Sequence, residues 1–525
     1  MFNFLCDPLV RLRRPDNTIS PASLPEVYAA LMANNIDAFP SLRPHQRHAW
    51  HSFLVQLAAM ALHSANQTEL PCDRGEWEVL IRGLTHQFPD DEPWTLIVDE
   101  VCKPAFFQPP ARIGGKIEEY KSHVATPDEL DMLVTSRNHD LKSAVGSQPH
   151  MDDWIFSLIT LQTMEGFGGA GNYGISRMNG GLGSRPAFTL APVGGISEHI
   201  KRDIKALLGC RQTLLDEGFM NDGGTTLLWV RPWDGTAPEA LSIDVLDPYY
   251  IEVCRRVRLC LEENGRVYGI RAVSKTARVD ARALKGRLGD PWAPIDRREN
   301  KCLTLSAEGF SYKRVVSYLN AAEWEWPALL RLTPEEERSS NQCMQIVARG
   351  MVRGQGKTEG YHERVVPLKP QIVPCFKGGL DALDLHAIAD QRIRRVATVE
   401  SMLRHAIATF AARGNPKDIR PEHRILARRW SNSLDEIVDS RFFEDLQDEF
   451  ASKEDEREKL HNDWLRNFVI VQGWGILRRA EDAIPCPALH RYRAREAAEG
   501  LFEGRLRGSN GLPFLFLSKN EDNQQ

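Results

Sequence analysis

The 525-residue sequence lacks the long apolar runs that cross membranes and the cysteine spacings that hold zinc. No stretch approaches 18 consecutive apolar residues, so we expect no segment to span a membrane. None of the ten cysteines forms a C-x-x-C pair, which argues against a zinc knuckle and against a thioredoxin-type redox site. Their scatter is typical of free thiols in a reducing cytoplasm.

A strong excess of one charge is also missing. The formal net charge is −5, and the 26% of charged residues is ordinary for a soluble globular protein. Since a protein that binds nucleic acid alone usually has a basic excess, any such role must be local or shared with partner subunits. The start, MFNFLCDPLVRLRRPD, carries its basic residues after its apolar run, the reverse of a signal peptide, and we expect a cytoplasmic protein.

The motifs of common hydrolases are absent as well, since no G-x-S-x-G, H-E-x-x-H or H-N-H-like pattern occurs. One acidic cluster, HQFPDDE (86–92), places His86 before Asp90, Asp91 and Glu92. Nucleases use such carboxylates for two-metal chemistry, so a metal-dependent nuclease is the main alternative function. Adjacent carboxylates between helical segments are more typical of a solvated loop or an N-cap. We therefore expect no enzyme and no cofactor.

A second candidate is the segment RGMVRGQGKTEGYHERVVP (349–367), which ends its glycine cluster on Gly356, Lys357 and Thr358 as a P-loop does. A P-loop needs its first glycine where this chain has Met351, and it should open a helix. Here Pro367 soon follows instead. A mobile loop that faces a nucleic-acid backbone and a plain surface turn both stay open.

The densest glycine stretch is GFGGAGNYGISRMNGGLGSRP (166–186), after the segment 152–165, which is a helix or a buried strand. Gly166, Gly168 and Gly171 match the dinucleotide pattern G-x-G-x-x-G, but no convincing helix opens at its end. So many glycines allow the backbone to approach another molecule closely, or make a mobile loop.

The clearest basic run is KTARVDARALKGRLGDPWAPIDRR (275–298), with seven Lys or Arg against three Asp. It is either a solvated face or a surface that presents cations to phosphates.

Three histidines, His45, His48 and His51, lie at three-residue intervals on or before a strong helix in 43–65. No acidic residue or cysteine accompanies them nearby in the sequence. We expect helix-surface or capping histidines and no metal site.

The order of patterns predicts an α+β protein. Residues 225–275 alternate as strands do, whereas helical spacing dominates from about 380 onwards. Four long helices with short connections form an up-down bundle. We predict a mixed N-terminal domain (1–375), an all-α four-helix bundle (380–515) and a disordered tail (516–525).

The order of the glycine-rich loop, the Gly/Arg/Gln loop near 350 and the helical bundle resembles the large subunit of the type I-E CRISPR Cascade complex (the CasA, or Cas8-type, family). Members of that family begin with an F-N-L-L-x-x-x-W-I-P-V-R pattern. The start of this chain fits at 2–5 and at 10–11, but Pro8 and Leu9 replace the usual Trp-Ile pair. The resemblance runs over nearly the whole chain as an order of features.

The resemblance implies a non-catalytic subunit in antiviral defence that recognises the short protospacer-adjacent motif (PAM) of duplex DNA, mainly from the minor groove. A glycine loop, a lysine finger and a glutamine wedge do this work and begin the R-loop. The implied partners are crRNA, target double-stranded DNA, the Cascade backbone, small and 5′-end subunits, and a separate helicase-nuclease. An assembly scaffold without direct DNA contact is the second alternative.

The resemblance also implies roles for particular residues. The glycine loop falls on Gly168 and Gly169, and Lys275 and Lys285 compete for the lysine finger. The wedge falls on Gln355, with three flanking residues: Arg353, Gly354 and Lys357. Asn138 and His139, in the segment RNHD (137–140), match the loop that docks onto the crRNA-bearing backbone. Some members carry cysteine pairs for zinc; this chain has none, so no structural zinc is expected.

These roles are physically reasonable. The minor groove presents little beyond the difference between A·T and G·C pairs, so bare glycine backbone suits it. A glutamine can insert into the duplex and replace stacking and hydrogen bonds as the strands separate. Unstacking costs a few kcal/mol, which is recovered when guide RNA pairs with its target. Lys357 and Arg353 would then hold the flanking phosphates.

Overall fold

The computed structural model describes residues 2–131, 149–216, 218–339, 343–354 and 357–516, without the side chains of 357–359. The chain forms two compact units. The N-terminal unit contains Met1–Phe310 and Ala321–Pro370, and the helical unit contains Ser311–Asn320 and Gln371–Gln525.

The N-terminal unit mixes helices and short strands. Its helices are α1 (Leu24–Met32), α2 (Arg47–Ser64), α3 (Arg74–Gly83), α4 (Met151–Met164), α5 (Ile196–Leu215) and α7 (Pro334–Arg338), while α6 (Tyr312–Tyr318) belongs to the helical unit. Its strands are β1 (Val10–Arg13), β2 (Ile19–Ala22), β3 (Ser122–Val124), β4 (Ala187–Pro192), β5 (Thr225–Leu227), β6 (Leu246–Ile251), β7 (Arg256–Leu261), β8 (Val267–Ala272), β9 (Ile295–Asp296), β10 (Lys301–Cys302), β11 (Trp324–Glu325), β12 (Met344–Gly354) and β13 (Lys357–Leu368).

The described strands form small separate sheets. Three of these sheets have three strands each, in the orders β13-β12-β4, β3-β8-β7 and β10-β9-β11. Two pairs, β1-β2 and β5-β6, complete the set, and only β5-β6 is parallel. The longest ladder joins β12 and β13, with a register shift between Val352 and Arg353.

Helix α2 lies at the centre of the core, because every residue from His48 to Leu62 is buried. It packs against α4, α5 and β6. The segment 152–165, for which helix and buried strand were both open, is helical in α4. Because this stretch of α2 is buried on all sides, its polar residues have no solvent face on which to lie.

The expectation of surface histidines on or before this helix is therefore wrong. His45, His48 and His51 are all buried. His45 Nε2 lies 2.6 Å from a carboxylate oxygen of Asp131, and His51 Nε2 lies 2.7 Å from Asp203 Oδ2. Acidic partners accompany two of the three histidines after all, but they come from distant parts of the chain.

The helical unit contains α6 (Tyr312–Tyr318), α8 (Leu380–Ala411), α9 (Pro421–Asp439), α10 (Phe442–Ala451), α11 (Glu454–Trp464), α12 (Ile470–Ala483) and α13 (Ala488–Arg507). Helix α8 packs against α9, α12 and α13, and buries Val396, Val399, Leu403 and Ile407 completely. The predicted fold class, a mixed N-terminal part followed by helices, is confirmed. Across the described ranges, none of the helices combines the length and the apolarity that crossing a bilayer requires.

Candidate nucleic-acid interface

The glycine loop (residues 166–183) connects α4 to β4 and folds back on itself. The Gly166 N–H donates to the Gly183 carbonyl at 3.2 Å, and the Phe167 N–H donates to Gly181 at 3.0 Å. At the tip, Gly168 and Asn172 close a tight turn, since the Gly168 N–H donates to the Asn172 carbonyl at 2.8 Å. These hydrogen bonds give the loop a defined shape although nearly half of its residues are glycine.

At Gly168 and Gly169 the tip presents backbone without side chains. Gly168 is exposed, and Gly169 has a φ of +109°, which L side chains rarely adopt. A Cβ atom placed on Gly169 would meet nothing within 4 Å, so open space and not crowding surrounds this position. The predicted glycine-loop residues therefore lie where another molecule can approach the backbone closely.

The other end of the loop packs tightly against β12. The Ser184 N–H donates to the Met351 carbonyl at 3.0 Å, and the Met351 N–H donates to Ser184 Oγ at 2.7 Å. A Cβ atom on Gly183 would lie 2.7 Å from the Met351 oxygen, closer than real Cβ contacts. Glycine at 183 therefore allows the loop to reach the strand that carries Arg353 and Gly354.

Glu165, the last residue before the glycine loop, links the loop to strand β12 through two arginines. Its Oε1 accepts from Arg353 Nη1 at 2.6 Å, and its Oε2 lies 2.8 Å from Arg255 Nη2. Arg255, between β6 and β7, also donates to the loop carbonyls of Gly166 and Tyr173. The side chains of Glu165 and Arg255 are 11% and 7% exposed, so water screens this triad weakly.

The far half of the loop is anchored on β6 and on Glu252, the residue that follows this strand. The Ser176 N–H donates to Glu252 Oε1 at 2.7 Å, and Ser176 Oγ contacts Glu252 Oε2 at 2.8 Å. The guanidinium of Arg177 stacks on the Tyr250 ring at 3.8 Å. Burial raises the pKa of Glu252, and Arg177 and the Ser176 hydrogen bonds oppose that rise.

Both candidate lysines come from segments that contact the glycine loop. The Ser274 N–H donates to the Gly171 carbonyl at 3.1 Å, immediately before Lys275. Gly286, immediately after Lys285, packs so closely that a Cβ atom there would lie 2.9 Å from the Arg177 carbonyl. Both lysine side chains are exposed. The basic run therefore presents cations beside the loop.

The remaining predicted residues are placed only in part. Arg353 is half-buried in its ion pair with Glu165, and Gly354 ends β12. Gln355, like Asn138 and His139, lies outside the described residues, and the same holds for the side chain of Lys357. Since Lys357 begins strand β13 and no helix, the segment has no P-loop geometry.

The acidic cluster is built as a structural turn. Asp91 accepts from Arg82 Nη2 at 2.8 Å and from Asn3 Nδ2 at 3.1 Å. Burial would raise the pKa of Asp91, but the hydrogen bonds from Arg82 and Asn3 bring it below its usual value. Glu92 lies 3.4 Å from Lys103 Nζ. With cations already on two of its carboxylates, this cluster is poorly prepared to hold two catalytic metal ions.

Sequence reasoning missed Glu165, Arg255 and Glu252, which fix the shape of the loop. The only local signal is position, because Glu165 directly precedes the first glycine. Its partners lie 90 and 188 residues further along the chain, and spacing within a motif gives no information at that range.

A mixed unit followed by helices is a fold that this chain shares with solved structures of CRISPR-associated proteins. Solved structures of similar fold include Cse1 from Acidimicrobium ferrooxidans (TM-score 0.61, 16% identity, 96% of this chain and 97% of that chain). CasA from Thermus thermophilus is also similar, with a TM-score of 0.60 and 15% identity over 96% of this chain and 98% of that chain. Cse1 from Thermobifida fusca has a TM-score of 0.60 and 14% identity over 96% of this chain and 97% of that chain.

The chain therefore has the fold of the Cse1 (CasA) proteins over nearly its whole length. At 14–16% identity this likeness concerns the fold. No protein-family model matches the sequence, and no curated protein matches it either. The fold that the resemblance in the sequence implied is confirmed.

Proposed function

We propose that this chain is the non-catalytic large subunit of a CRISPR RNA-guided surveillance complex, and that the glycine loop reads the PAM of duplex DNA. One observation carries the proposal. The exposed turn at Gly168 and Gly169, strand β12 and the segments of Lys275 and Lys285 are joined by direct contacts within one unit. This surface combines bare backbone with cations, as minor-groove recognition and phosphate binding require.

The division of roles follows from the contacts. Arg353 is already paired with Glu165, so its main part is to hold the end of β12 beside the loop, and the phosphate contacts fall to the exposed lysines. Gln355, which follows this strand end by one residue, is the proposed wedge that separates the strands and begins the R-loop. Unstacking of about a few kcal/mol is then recovered by pairing with crRNA.

The partners follow from the same proposal. The chain would assemble with crRNA and with the backbone, small and 5′-end subunits of the complex, and Asn138 and His139 would dock onto the crRNA-bearing backbone. A separate helicase-nuclease would cut the target. Other subunits would supply most of the positive charge that holds DNA, which fits the net charge of −5.

The test is duplex binding by the reconstituted crRNA complex with this chain present or omitted. With the chain, PAM-bearing duplex should bind more tightly than PAM-less duplex, and omission should abolish the difference. Lys275→Ala and Lys285→Ala identify which lysine is the lysine finger. Each lost phosphate contact lowers the magnitude of the slope of log K against log salt concentration by about 1. Lys205→Ala, on α5 and 52% exposed, is the matched control.

Two results would contradict the proposal. Equal binding of both duplexes with the chain present would leave an assembly scaffold without direct DNA contact. Metal-dependent cutting of DNA by the isolated chain, lost in Asp91→Asn, would support the nuclease alternative instead.

A further inference from the structure

A group of three side chains in the core of the N-terminal unit has the composition of a metal site. His51 comes from α2, while His199 and Asp203 lie one turn apart on α5. One potential ligand atom from each lies within 4.8 Å of the other two. Asp203 is completely buried, and the side chains of His51 and His199 are 7% and 14% exposed.

Both imidazoles approach the same carboxylate oxygen. His51 Nε2 lies 2.7 Å from Asp203 Oδ2, and His199 Nε2 lies 3.3 Å from that atom. Among the described residues, the buried His199 Nε2 has no partner in hydrogen-bond geometry, although it lies 3.3 Å from Asp203 Oδ2. Such an unsatisfied buried nitrogen is costly unless another ligand takes it.

The second oxygen of Asp203 is already held in place. Arg202 Nη1 donates to Oδ1 at 3.1 Å, which leaves Oδ2 for the two imidazoles. A carboxylate that accepts a hydrogen bond on one oxygen is typical of metal ligands, because this hydrogen bond orients the other oxygen toward the metal.

The local charge favours a cation. Arg202 pairs with both Asp203 and Glu336, and the side chains of Arg202 and Glu336 are each 7% exposed. Two carboxylates and one guanidinium leave one buried negative charge. Of the nearby arginines, Arg185 pairs with Asp290, and Arg349 shares the Glu363 carboxylate with Arg47.

We propose that His51, His199 and Asp203 bind one divalent transition-metal ion, with Zn²⁺ as the best match. Two imidazoles and one carboxylate form a common ligand set for zinc, with bonds of about 2.0–2.2 Å. In a tetrahedron of that size the ligand atoms are about 3.3–3.6 Å apart, so small side-chain movements suffice. The ion would cross-link α2 to α5, and water would complete its coordination. This site departs from our expectation from the sequence that no metal binds.

The test begins with the full chain, stripped by a chelator and titrated with Zn²⁺ or Co²⁺. The proposal expects one Zn²⁺ per chain, a higher melting temperature with Zn²⁺, and the visible absorption of four-coordinate Co²⁺. His199→Gln should weaken Zn²⁺ binding by more than the roughly 10–100-fold that loss of an outer contact causes. His86→Gln, at an exposed histidine, should change nothing.

The His199 variant keeps the test decisive because the His199 side chain lies at the edge of the core. Asp203 is fully buried, so Asp203→Asn risks misfolding the chain. Failure of the stripped wild-type chain to bind Zn²⁺ stoichiometrically would overturn the proposal and leave a hydrogen-bonded cluster. Equal Zn²⁺ affinity of wild type and His199→Gln would also overturn it, because the ion would then bind elsewhere.

Discussion

Replacing Glu165 by glutamine is expected to loosen the glycine loop without removing any residue of the proposed DNA-binding surface. The two carboxylate oxygens of Glu165 serve two arginines, Arg255 and Arg353. An amide has one acceptor oxygen, so its NH₂ group must face one of these cations. Breaking a buried ion pair from one side costs about 3–5 kcal/mol, and we expect about 3 because the amide still accepts one hydrogen bond.

Hydrogen exchange measures this loss at the loop itself. A local opening free energy lower by about 3 kcal/mol corresponds to roughly 100-fold faster exchange of the protected amides. The amides of Gly166, Gly168 and Asn172, which donate within the loop, report it. The exposed pair Arg13–Asp37 provides the control, since Asp37→Asn should cost less than about 1 kcal/mol. Equal loop exchange in the two variants would refute the triad as the support of the loop.

Two further predictions concern stability. In a denaturant titration, Gly183→Ala should destabilise the N-terminal unit by about 1–3 kcal/mol, because the new Cβ would lie 2.7 Å from a β12 carbonyl oxygen. Gly500→Ala, in open space on α13, is the control and should be neutral or slightly stabilising. Burial, with the nearby Glu499, raises the pKa of Glu481 from 4.5 to about 7 despite Arg495 at 3.1 Å. The unfolded carboxyl ionises first as pH rises, so the helical unit should lose roughly 3 kcal/mol of unfolding free energy between about pH 4.5 and 7. Melts of Glu481→Gln that lack this pH dependence would confirm the prediction, and an unchanged profile would contradict it.

The sequence predicted the fold class because periodicity is a local property. The apolar spacing from residue 385 to 410 appears directly as α8, and the alternation in 225–275 as β5 to β8. The buried histidines on α2 and directly before it were misjudged because two of their acidic partners lie far along the chain: Asp131 is 86 residues from His45, and Asp203 is 152 residues from His51.

The candidate site was predictable only in outline. Glycine density and the basic run indicated which segments matter, since such compositions are unusual in themselves. Which residues hold them together was not predictable, because Glu165, Arg255 and Glu252 act through contacts between distant segments. Arg353 shows the limit most clearly: its position suggested a free phosphate-binding cation, whereas the fold gives it a carboxylate partner.

The most direct test of the proposed interface is hydrogen exchange of the assembled crRNA complex with and without PAM-bearing duplex. We predict that PAM-bearing duplex slows hydrogen exchange in two sets of peptides together: those covering the loop tip at Gly168 and Gly169, and those covering the segment after Lys275. PAM-less duplex at the same occupancy should protect the tip less. Exchange at both segments that stays unchanged while the duplex is bound would contradict the proposal that this surface contacts DNA.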